Sequence, residues 1–197
     1  MKLGRLEFAV MKSRPREFIA RRVEYRAFER FGFDPAGRDV LELGCGSGYA
    51  AHLISLQNPK SYSGVDIMEE QIALANRRAL PENFIFIVGD AADLSSFEDS
   101  SKDDVIIFGA LHHIPVWKKV VREARRVLKP GGRFFIDDPN QGFVVLAMKL
   151  MRMEHDEAGL FELRELEAEL GACGMEVRGK KNLLCGLMWS LWGVRKP

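Results

Sequence analysis

Two kinds of hydrophobic pattern alternate along this chain, one typical of strands and the other of helices. Strands are predicted at residues 40–43, 61–66, 83–89, 104–108 and 133–138, and residues 84–88 and 105–108 are continuous apolar runs. Such runs are typical of strands that are buried on both faces of a parallel sheet. Segments with apolar residues at helical spacing separate the runs, at residues 49–56, 69–79 and 116–128. This alternation predicts βαβ units with right-handed crossovers, and therefore an α/β fold built on a parallel sheet.

The chain before the first strand has a different character. Residues 1–14 are basic and poorly patterned, whereas apolar residues recur at helical spacing from Pro15 to Phe31. We therefore expect a basic N-terminal arm and helix over residues 1–31. The remaining residues, 32–197, have a suitable length for one α/β domain.

Three segments follow the fifth predicted strand. The first, at residues 142–156, is apolar and rich in methionine. The second, at residues 160–173, has leucines at helical spacing, and the third, Leu183–Trp192, is apolar and aromatic. We expect an insert, a helix and the last strand of the sheet, in that order.

Composition changes this picture little. The chain has 197 residues, of which 47% are apolar and 29% charged, and its net charge is +1. These values are ordinary for a soluble globular protein and give no global field that would attract nucleic acid. No basic region followed by an apolar run opens the chain, so we expect no secretory signal.

The cysteines bear on the compartment and on metal binding. Cys45, Cys173 and Cys185 are widely spaced, odd in number and free of any C-x-x-C pair. This pattern argues against a disulfide framework and against a zinc site. We expect a cytoplasmic protein that holds no metal.

A glycine-rich loop follows the first predicted strand. Gly44, Gly46 and Gly48 alternate there, and the apolar start of a helix comes next. Glycines let the backbone approach a ligand closely, and the free N–H groups of a helix entrance favour negative charge, so the loop predicts a nucleotide-like ligand. A dinucleotide loop has a small residue where this chain has Tyr49. An NAD(P)-dependent oxidoreductase is therefore a disfavoured alternative, and the chain also lacks a Tyr-x-x-x-Lys pair after the sheet.

Acidic residues end the second and third predicted strands. Asp66 lies where a carboxylate can accept both hydroxyls of a ribose, as it does in dinucleotide enzymes. Asp90 ends the next strand in the same way. The alternatives are a helix N-cap for Asp66 and a solvated turn for Asp90. Because ligands of such sheets bind beyond the carboxyl ends of the strands, we favour ligand contacts for both.

Three blocks of this sequence together resemble one family. The glycine loop is followed by Gly109-Ala110-Leu111-His112-His113-Ile114-Pro115 and then by Arg125-Arg126-Val127-Leu128-Lys129-Pro130-Gly131-Gly132. In order and spacing, over residues 38–138, they resemble the class I, Rossmann-like S-adenosylmethionine-dependent methyltransferases of small-molecule type. The resemblance implies a single doubly wound domain with helices on both faces. Its mostly parallel sheet would have seven strands, the last one antiparallel.

The resemblance also implies a cofactor site. The cofactor would be S-adenosyl-L-methionine, and S-adenosyl-L-homocysteine would be its product. Asp66 would hold the ribose, and Asp90 would accept a hydrogen bond from the adenine amino group. The implied cofactor-binding residues are Glu42, Gly44, Cys45, Gly46, Gly48, Asp66, Ile67, Asp90, Ala91 and Gly109.

The expected reaction is an in-line displacement in which a neutral thioether leaves. Most of the rate enhancement then comes from holding the acceptor against the methyl group, and a base is needed only for an acceptor that loses a proton. His112 and His113 are the candidate bases because the unperturbed pKa of histidine suits that work. Asp137, Asp138 and Asn140 come next. Alternatively, one histidine packs under its loop.

The substrate side is less specific. In the family, the N-terminal helix and the insert at residues 142–156 usually cover the substrate pocket. A methionine-rich insert favours a small, apolar or amphipathic acceptor, although these residues would serve equally as ordinary core. The chain lacks the Asp/Asn-Pro-Pro-aromatic block typical of enzymes that methylate bases, which argues against nucleic-acid base methylation.

Two further alternatives stay open at this point. The basic N-terminal helix, the insert and the aromatic C-terminus could together contact a membrane surface peripherally. The chain could also be a cofactor-binding regulatory or partner subunit without catalysis. The sequence leaves the oligomeric state and the acceptor atom undetermined.

Overall fold

The computed structural model describes residues 24–142, 144–145, 159–183 and 188–195. Five strands come first, interrupted by helices. The elements, in chain order, are α1 (Tyr25–Arg30), β1 (Asp39–Leu43), α2 (Tyr49–Ser55), β2 (Ser61–Asp66), α3 (Glu69–Ala75), β3 (Phe84–Val88), β4 (Lys102–Phe108), a 3-10 turn (Leu111–His113), α4 (Trp117–Val127), β5 (Leu128–Pro139), α5 (Leu163–Ala172), β6 (Met175–Leu183) and β7 (Met188–Arg195). The alternation that the hydrophobic pattern predicts is present.

The strands form one sheet in the order β3-β2-β1-β4-β5-β7-β6. The five strands from β3 to β5 are parallel neighbours, and β7 runs antiparallel to both β5 and β6. The α/β class and the parallel sheet are thus confirmed. The order of the strands reverses between β1 and β4, and ligands of such sheets bind at the carboxyl ends of the strands at this point.

The end of the sheet differs from the expectation. The stretch Leu183–Trp192 was expected to be one strand, but β6 ends at Leu183 and β7 begins only at Met188. The sequence pattern missed β6 because this edge strand carries Arg178, Lys180 and Lys181 instead of an apolar run. Charged residues, lysine above all, protect a sheet edge from pairing with other chains.

Two other boundaries also shift. The predicted helix at residues 69–79 ends at Ala75, because the following turn carries Arg78 back to the glycine loop, where it donates to the carbonyl of Ser47. The fifth strand begins at Leu128 instead of residue 133. Its ladder with β4 is irregular near its start, where the Pro-Gly-Gly turn lies.

Two apolar clusters lie on the two sides of the sheet. Alternate residues of a strand point to opposite faces, so Leu41 and Ile107 pack towards α4 and α5, whereas Val40 and Ile106 pack towards α1 and α2. All four side chains are fully buried. This double burial explains why residues 105–107 of β4 are all apolar.

A buried ion cluster ties the amino end of the sheet together. Asp104 is fully buried in β4 and pairs with Arg38 at 2.8 Å and with Arg133 at 2.7 Å. The Arg133 guanidinium also donates to the carbonyls of Gly32 and Asp34. The turn after α1 is thereby fixed to the sheet, far from the glycine loop.

Parts of the predicted periphery lie outside the described residues. These parts are residues 1–23, which include the basic arm, and all of the predicted insert except residues 142, 144 and 145. Across the ranges that are described, we find no helix with the length and apolar character needed to cross a membrane.

Candidate active site

The glycine loop turns sharply after β1. Gly44, Gly46 and Gly48 all have left-handed backbone conformations, with φ of 67°, 51° and 70°. Side chains with a Cβ rarely adopt such angles, so this loop requires glycine. A Cβ on Gly44 would lie 2.7 Å from that of Ala110, and one on Gly48 would lie 2.9 Å from the Phe86 ring. On Gly46 it would meet nothing within 4 Å, so this backbone faces open space.

Asp66 joins the loop to the end of β2. One carboxylate oxygen accepts the N–H of Gly46 at 2.8 Å, and the other accepts the N–H of Met68 at 2.9 Å. Burial raises the pKa of the Asp66 carboxyl, and these two hydrogen bonds oppose the increase. The carboxylate is thus held in one orientation beside the most open part of the loop.

A cavity of about 200 Å³ lies between the carboxyl ends of the parallel strands. It is bounded by the glycine loop after β1, by the turns after β2 and β3, and by the segment after β4. The lining residues are Gly44, Gly46, Val65, Asp66, Ile67, Met68, Gln71, Gly89, Asp90, Ala91, Gly109, Ala110, His113, Ile114, Pro115 and Val116. The cavity therefore lies where the strand order reverses.

The structure brings most of the predicted cofactor residues to this cavity. The predicted residues in its lining are Gly44, Gly46, Asp66, Ile67, Asp90, Ala91 and Gly109. Asp90 is oriented by the N–H of Ala92, which its carboxylate accepts at 2.8 Å. Glu42, Cys45 and Gly48 do not line the cavity but support the loop that does.

Glu42 lies beneath the loop, almost completely buried in β1. Its carboxyl accepts a short hydrogen bond from the Tyr62 hydroxyl. Burial, with a further contribution from the charge of Asp66, raises the Glu42 pKa to about 8. Burial likewise raises the pKa of the Cys45 thiol well above its ordinary value, which disfavours the thiolate form.

The two histidines occupy different places in the 3-10 turn after β4. His113 lines the cavity, whereas His112 is mostly buried and does not. Asp138 accepts from the backbone N–H of His112 at 3.1 Å and contacts its ring Nδ1. Asp138 is therefore the partner of His112. The carbonyl of Asp137 accepts the N–H of Gly109, so β5 also positions the cavity wall.

The lining suits an adenosyl ligand. Asp66 presents a carboxylate to the cavity, Ile67 presents an apolar side chain that is 51% exposed, and Gly46 presents bare backbone. A carboxylate can accept hydrogen bonds from ribose hydroxyls, and an apolar side chain can pack on a base. Main chain that a ligand can approach closely can bind a polar chain. Among the described residues, no group of three His, Cys, Asp or Glu side chains could hold a metal ion.

The part of the chain that forms the cavity matches a known family. Residues 41–136 match the model of a family described as a methyltransferase domain. The segment that is similar to a methyltransferase domain spans a little under half of the chain. The matched segment runs from β1 into β5 and includes every residue of the cavity lining.

Curated relatives of the chain are methyltransferases. The 27-O-demethylrifamycin SV methyltransferase of Amycolatopsis mediterranei is 33% identical over 157 residues, which cover 75% of this chain and 57% of that protein. The fatty-acid O-methyltransferase of Mycolicibacterium smegmatis is 37% identical over 106 residues, which cover 53% of this chain and 38% of that protein. The chain thus spans about half of the length of these relatives, or less.

Solved structures share the fold at lower identity. A methyltransferase from Aquifex aeolicus superposes with a TM-score of 0.77 at 17% identity, covering 98% of this chain and all of that one. A chain from the complex between the Haloferax volcanii Trm112 methyltransferase activator and a methyltransferase gives 0.78 at 21% identity, with 92% and 93% covered. At these identities the likeness shows the fold alone.

Two residues that line the cavity were not predicted from the sequence. Gln71 is buried in the first turn of α3 and lines the cavity, and its place beside the acidic strand end could have revealed it. Val116 also lines the cavity although its side chain is 51% exposed. No sequence signal marks such a residue, because an apolar residue before a helix usually packs inside.

We expect replacement of Glu42 with glutamine to change how stability depends on pH. Between about pH 5 and pH 8 the unfolded chain ionises Glu42, while the folded chain retains the proton, so wild-type stability falls as pH rises through this window. Glutamine removes this loss because it does not ionise. Relative to wild type, the variant should gain roughly 4 kcal/mol in unfolding free energy between pH 5 and pH 8, measured by urea denaturation.

The pH range of this effect distinguishes Glu42 from carboxyl groups whose pKa is lowered. Asp103 and Glu123 have pKa values below their ordinary range, through hydrogen bonds and nearby Lys129 and Arg126, and their contribution is lost only as pH falls in acid. Equal pH dependence of wild type and the Glu42→Gln variant between pH 5 and pH 8 would show that Glu42 ionises normally.

Proposed function

We propose that this chain transfers the methyl group of S-adenosylmethionine to a small, apolar acceptor. The observation that carries the proposal is the cavity where the strand order reverses, in which Gly46, Asp66 and Asp90 meet within the segment that is similar to a methyltransferase domain. Backbone and carboxylates come together there from three different strand ends. Such an arrangement binds a ligand that has both a polar chain and a nucleoside.

The roles within the cavity follow from the chemistry of each residue. Asp66 would accept the ribose hydroxyls, Asp90 would accept from the adenine amino group, and Ile67 would pack on the base. Main chain at four further positions would meet the ligand directly. These positions are Gly44, Gly46, Ala91 and Gly109. The remaining candidates would act through the loop, and they are Glu42, Cys45 and Gly48.

When bound, S-adenosylmethionine supplies a methyl group on a sulfonium whose departure as a neutral thioether needs no acid. The protein's contribution is then to position the acceptor and exclude water, which accounts for most of the rate enhancement in such reactions. His113 lies in the wall and His112 directly behind it, so this wall is the acceptor side of our proposal. Either histidine would take a proton from an acceptor that carries one.

The proposed acceptor class has two supports. Ile114 and Val116 extend the apolar lining on the histidine side of the cavity. The relatives are described as methyltransferases of a rifamycin and of fatty acids, both apolar and both modified at oxygen. A small apolar acceptor with an oxygen nucleophile fits both the lining and the relatives.

We also propose that residues 142–156 cover the histidine side of the cavity.

The proposed architecture is one doubly wound domain with a seven-stranded sheet. Apolar clusters on both sides of the sheet support a doubly wound domain, with β6 and β7 bringing the sheet to seven strands. We place this domain at residues 32–197, after an N-terminal arm and helix at residues 1–31. The spacing of the cysteines supports a cytoplasmic location. Contact of the N-terminal helix, the insert and the aromatic C-terminus with a membrane surface stays a prediction, since the first two lie almost entirely outside the described residues.

Transfer of labelled methyl tests the proposal against a cofactor-binding subunit without catalysis. The purified chain would be incubated with methyl-labelled S-adenosylmethionine and a cell extract fractionated by solubility. We expect label in the fraction of small apolar molecules, and no label when Asp66→Ala replaces the wild-type chain. Binding of S-adenosylhomocysteine without any transfer would favour the regulatory subunit, and label in nucleic acid would contradict the proposed acceptor class.

A further inference from the structure

The outer edge of β3 is apolar and open. β3 lies at one end of the sheet, and among the described residues no other strand pairs with its outer edge. Its sequence is apolar throughout, as in a strand that is covered on both faces. Ile85 is nevertheless 50% exposed and Val88 is 47% exposed. The opposite edge strand, β6, instead carries charged residues that discourage pairing, so the two edges of the sheet differ in their chemistry.

The backbone of β3 presents hydrogen-bonding groups along this edge. The N–H of Gly89 donates to the carbonyl of Asp66 at 2.9 Å, so Gly89 faces β2. Because successive residues of a strand direct their backbone groups to opposite sides, the N–H and C=O groups of Phe86 and Val88 point away from β2. An open row of such groups is a template for the backbone of another strand.

The charges beside this edge change sign from one end to the other. α3 connects the carboxyl end of β2 to the amino end of β3, so it runs opposite to β3, against which it packs. It begins with the exposed Glu69 and Glu70, and the exposed Arg77 follows its last turn. The carboxyl end of the edge is therefore acidic and its amino end is basic. Ala73, which is small and exposed, lies between them.

We propose that this chain forms a symmetric dimer in which the β3 strands of two copies pair antiparallel. The two-fold axis would pass beside Phe86, whose N–H and C=O groups would bond those of the same residue in the second copy. Ile85 would then lie opposite Ile87, and Phe84 opposite Val88, so every cross-strand pair is apolar. The inference goes beyond the proposed methyl transfer and does not depend on it.

Charge complementarity favours a second copy as the occupant of this edge. Antiparallel pairing places the acidic start of one α3 beside the basic end of the other, and the two-fold axis repeats this contact. A parallel arrangement of two copies would instead bring like charges together and would not close on itself. The same dimer also covers the exposed Ile85 and Val88 with side chains of their own kind.

Sedimentation equilibrium of the purified chain measures the association. We expect a dimer at micromolar concentration for the wild type and for the Leu56→Lys control, in which the replaced apolar residue is 69% exposed but lies outside β3. Ile85→Lys should raise the dissociation constant of the dimer roughly tenfold or more, since the new charge enters the interface twice. A monomeric wild type would overturn the proposal, and so would equal effects of the two substitutions.

Reversal of the charges tests the antiparallel geometry even if the Ile85→Lys variant fails to fold. In Arg77→Glu both ends of α3 are acidic, and in the double variant Glu69→Arg with Glu70→Arg both ends are basic. We expect each variant alone to dimerise more weakly than the wild type, and an equal mixture of the two to restore dimers. A mixture that associates no better than its components would exclude the proposed contact between these ends.

Amide hydrogen exchange shows whether the edge itself is the interface. The N–H groups of Phe86 and Val88 meet water in a monomer and are hydrogen-bonded in the proposed dimer. We expect their exchange to slow as the chain is concentrated and to quicken on dilution. Slow exchange at every concentration would mean that another segment of the same chain covers the edge, and fast exchange in a dimer would place the interface elsewhere. Either result would overturn the proposal.

Discussion

Replacement of Asp66 with alanine is expected to weaken S-adenosylhomocysteine binding roughly 100-fold to 1000-fold. The carboxylate presents its oxygens to the cavity, and each hydrogen bond to a charged group contributes about 1.5–3 kcal/mol. The variant also loses the contacts with Gly46 and Met68 that hold the loop beside the cavity. Isothermal titration of the purified variant measures the effect.

Asp93→Ala is the matched control for this variant. Asp93 makes the same kind of turn contact, with the N–H of Ser95, but it is exposed and does not line the cavity. Its replacement should leave the affinity within about threefold of wild type. Equal affinities of wild type and the Asp66→Ala variant would mean that the ribose lies elsewhere.

Replacement of Asp104 with alanine is expected to destabilise the fold by about 3 kcal/mol. The fully buried carboxylate neutralises Arg38 and Arg133, and removal of one partner from a buried ion pair costs about 3–5 kcal/mol. The lower end applies because the side chain of Arg38 is 33% exposed, so water can solvate it once the pair is broken. The unfolding free energy from urea titration gives the value.

Asp99→Ala serves as the comparison for the ion cluster. Its carboxylate also pairs with an arginine, Arg126, but is 76% exposed, so the loss should stay below about 1 kcal/mol. Similar losses for the two variants would show that burial of Asp104 adds nothing to the strength of its ion pairs. Cofactor affinity should be unchanged in both, since neither residue lines the cavity.

The hydrophobic pattern was enough to predict the central sheet, for a physical reason. Strands buried on both faces must be apolar throughout, as residues 105–107 of β4 are, and such runs are visible without any structure. Edge strands, by contrast, need charged residues along their exposed side. β6 carries charges that keep the sheet edge from pairing, so its residues resemble a loop in the sequence.

The site was predictable where backbone geometry dictates the residue type. Gly44, Gly46 and Gly48 are required by left-handed angles, and Asp66 ends a strand at the same edge of the sheet. The partnership of Asp138 with His112 was not predictable. The two residues lie 26 positions apart, and only the parallel pairing of β4 with β5 brings the ends of their strands together. Sequence alone left Asp138 as one of several candidate bases.

Co-crystallisation of the chain with S-adenosylhomocysteine tests the central claim most directly. We expect the ribose hydroxyls to lie on the Asp66 carboxylate, and the amino-acid end to lie along the backbone of Gly44 and Gly46. A ligand bound away from both the glycine loop and Asp66, or a cavity that stays empty at saturating ligand, would contradict the account.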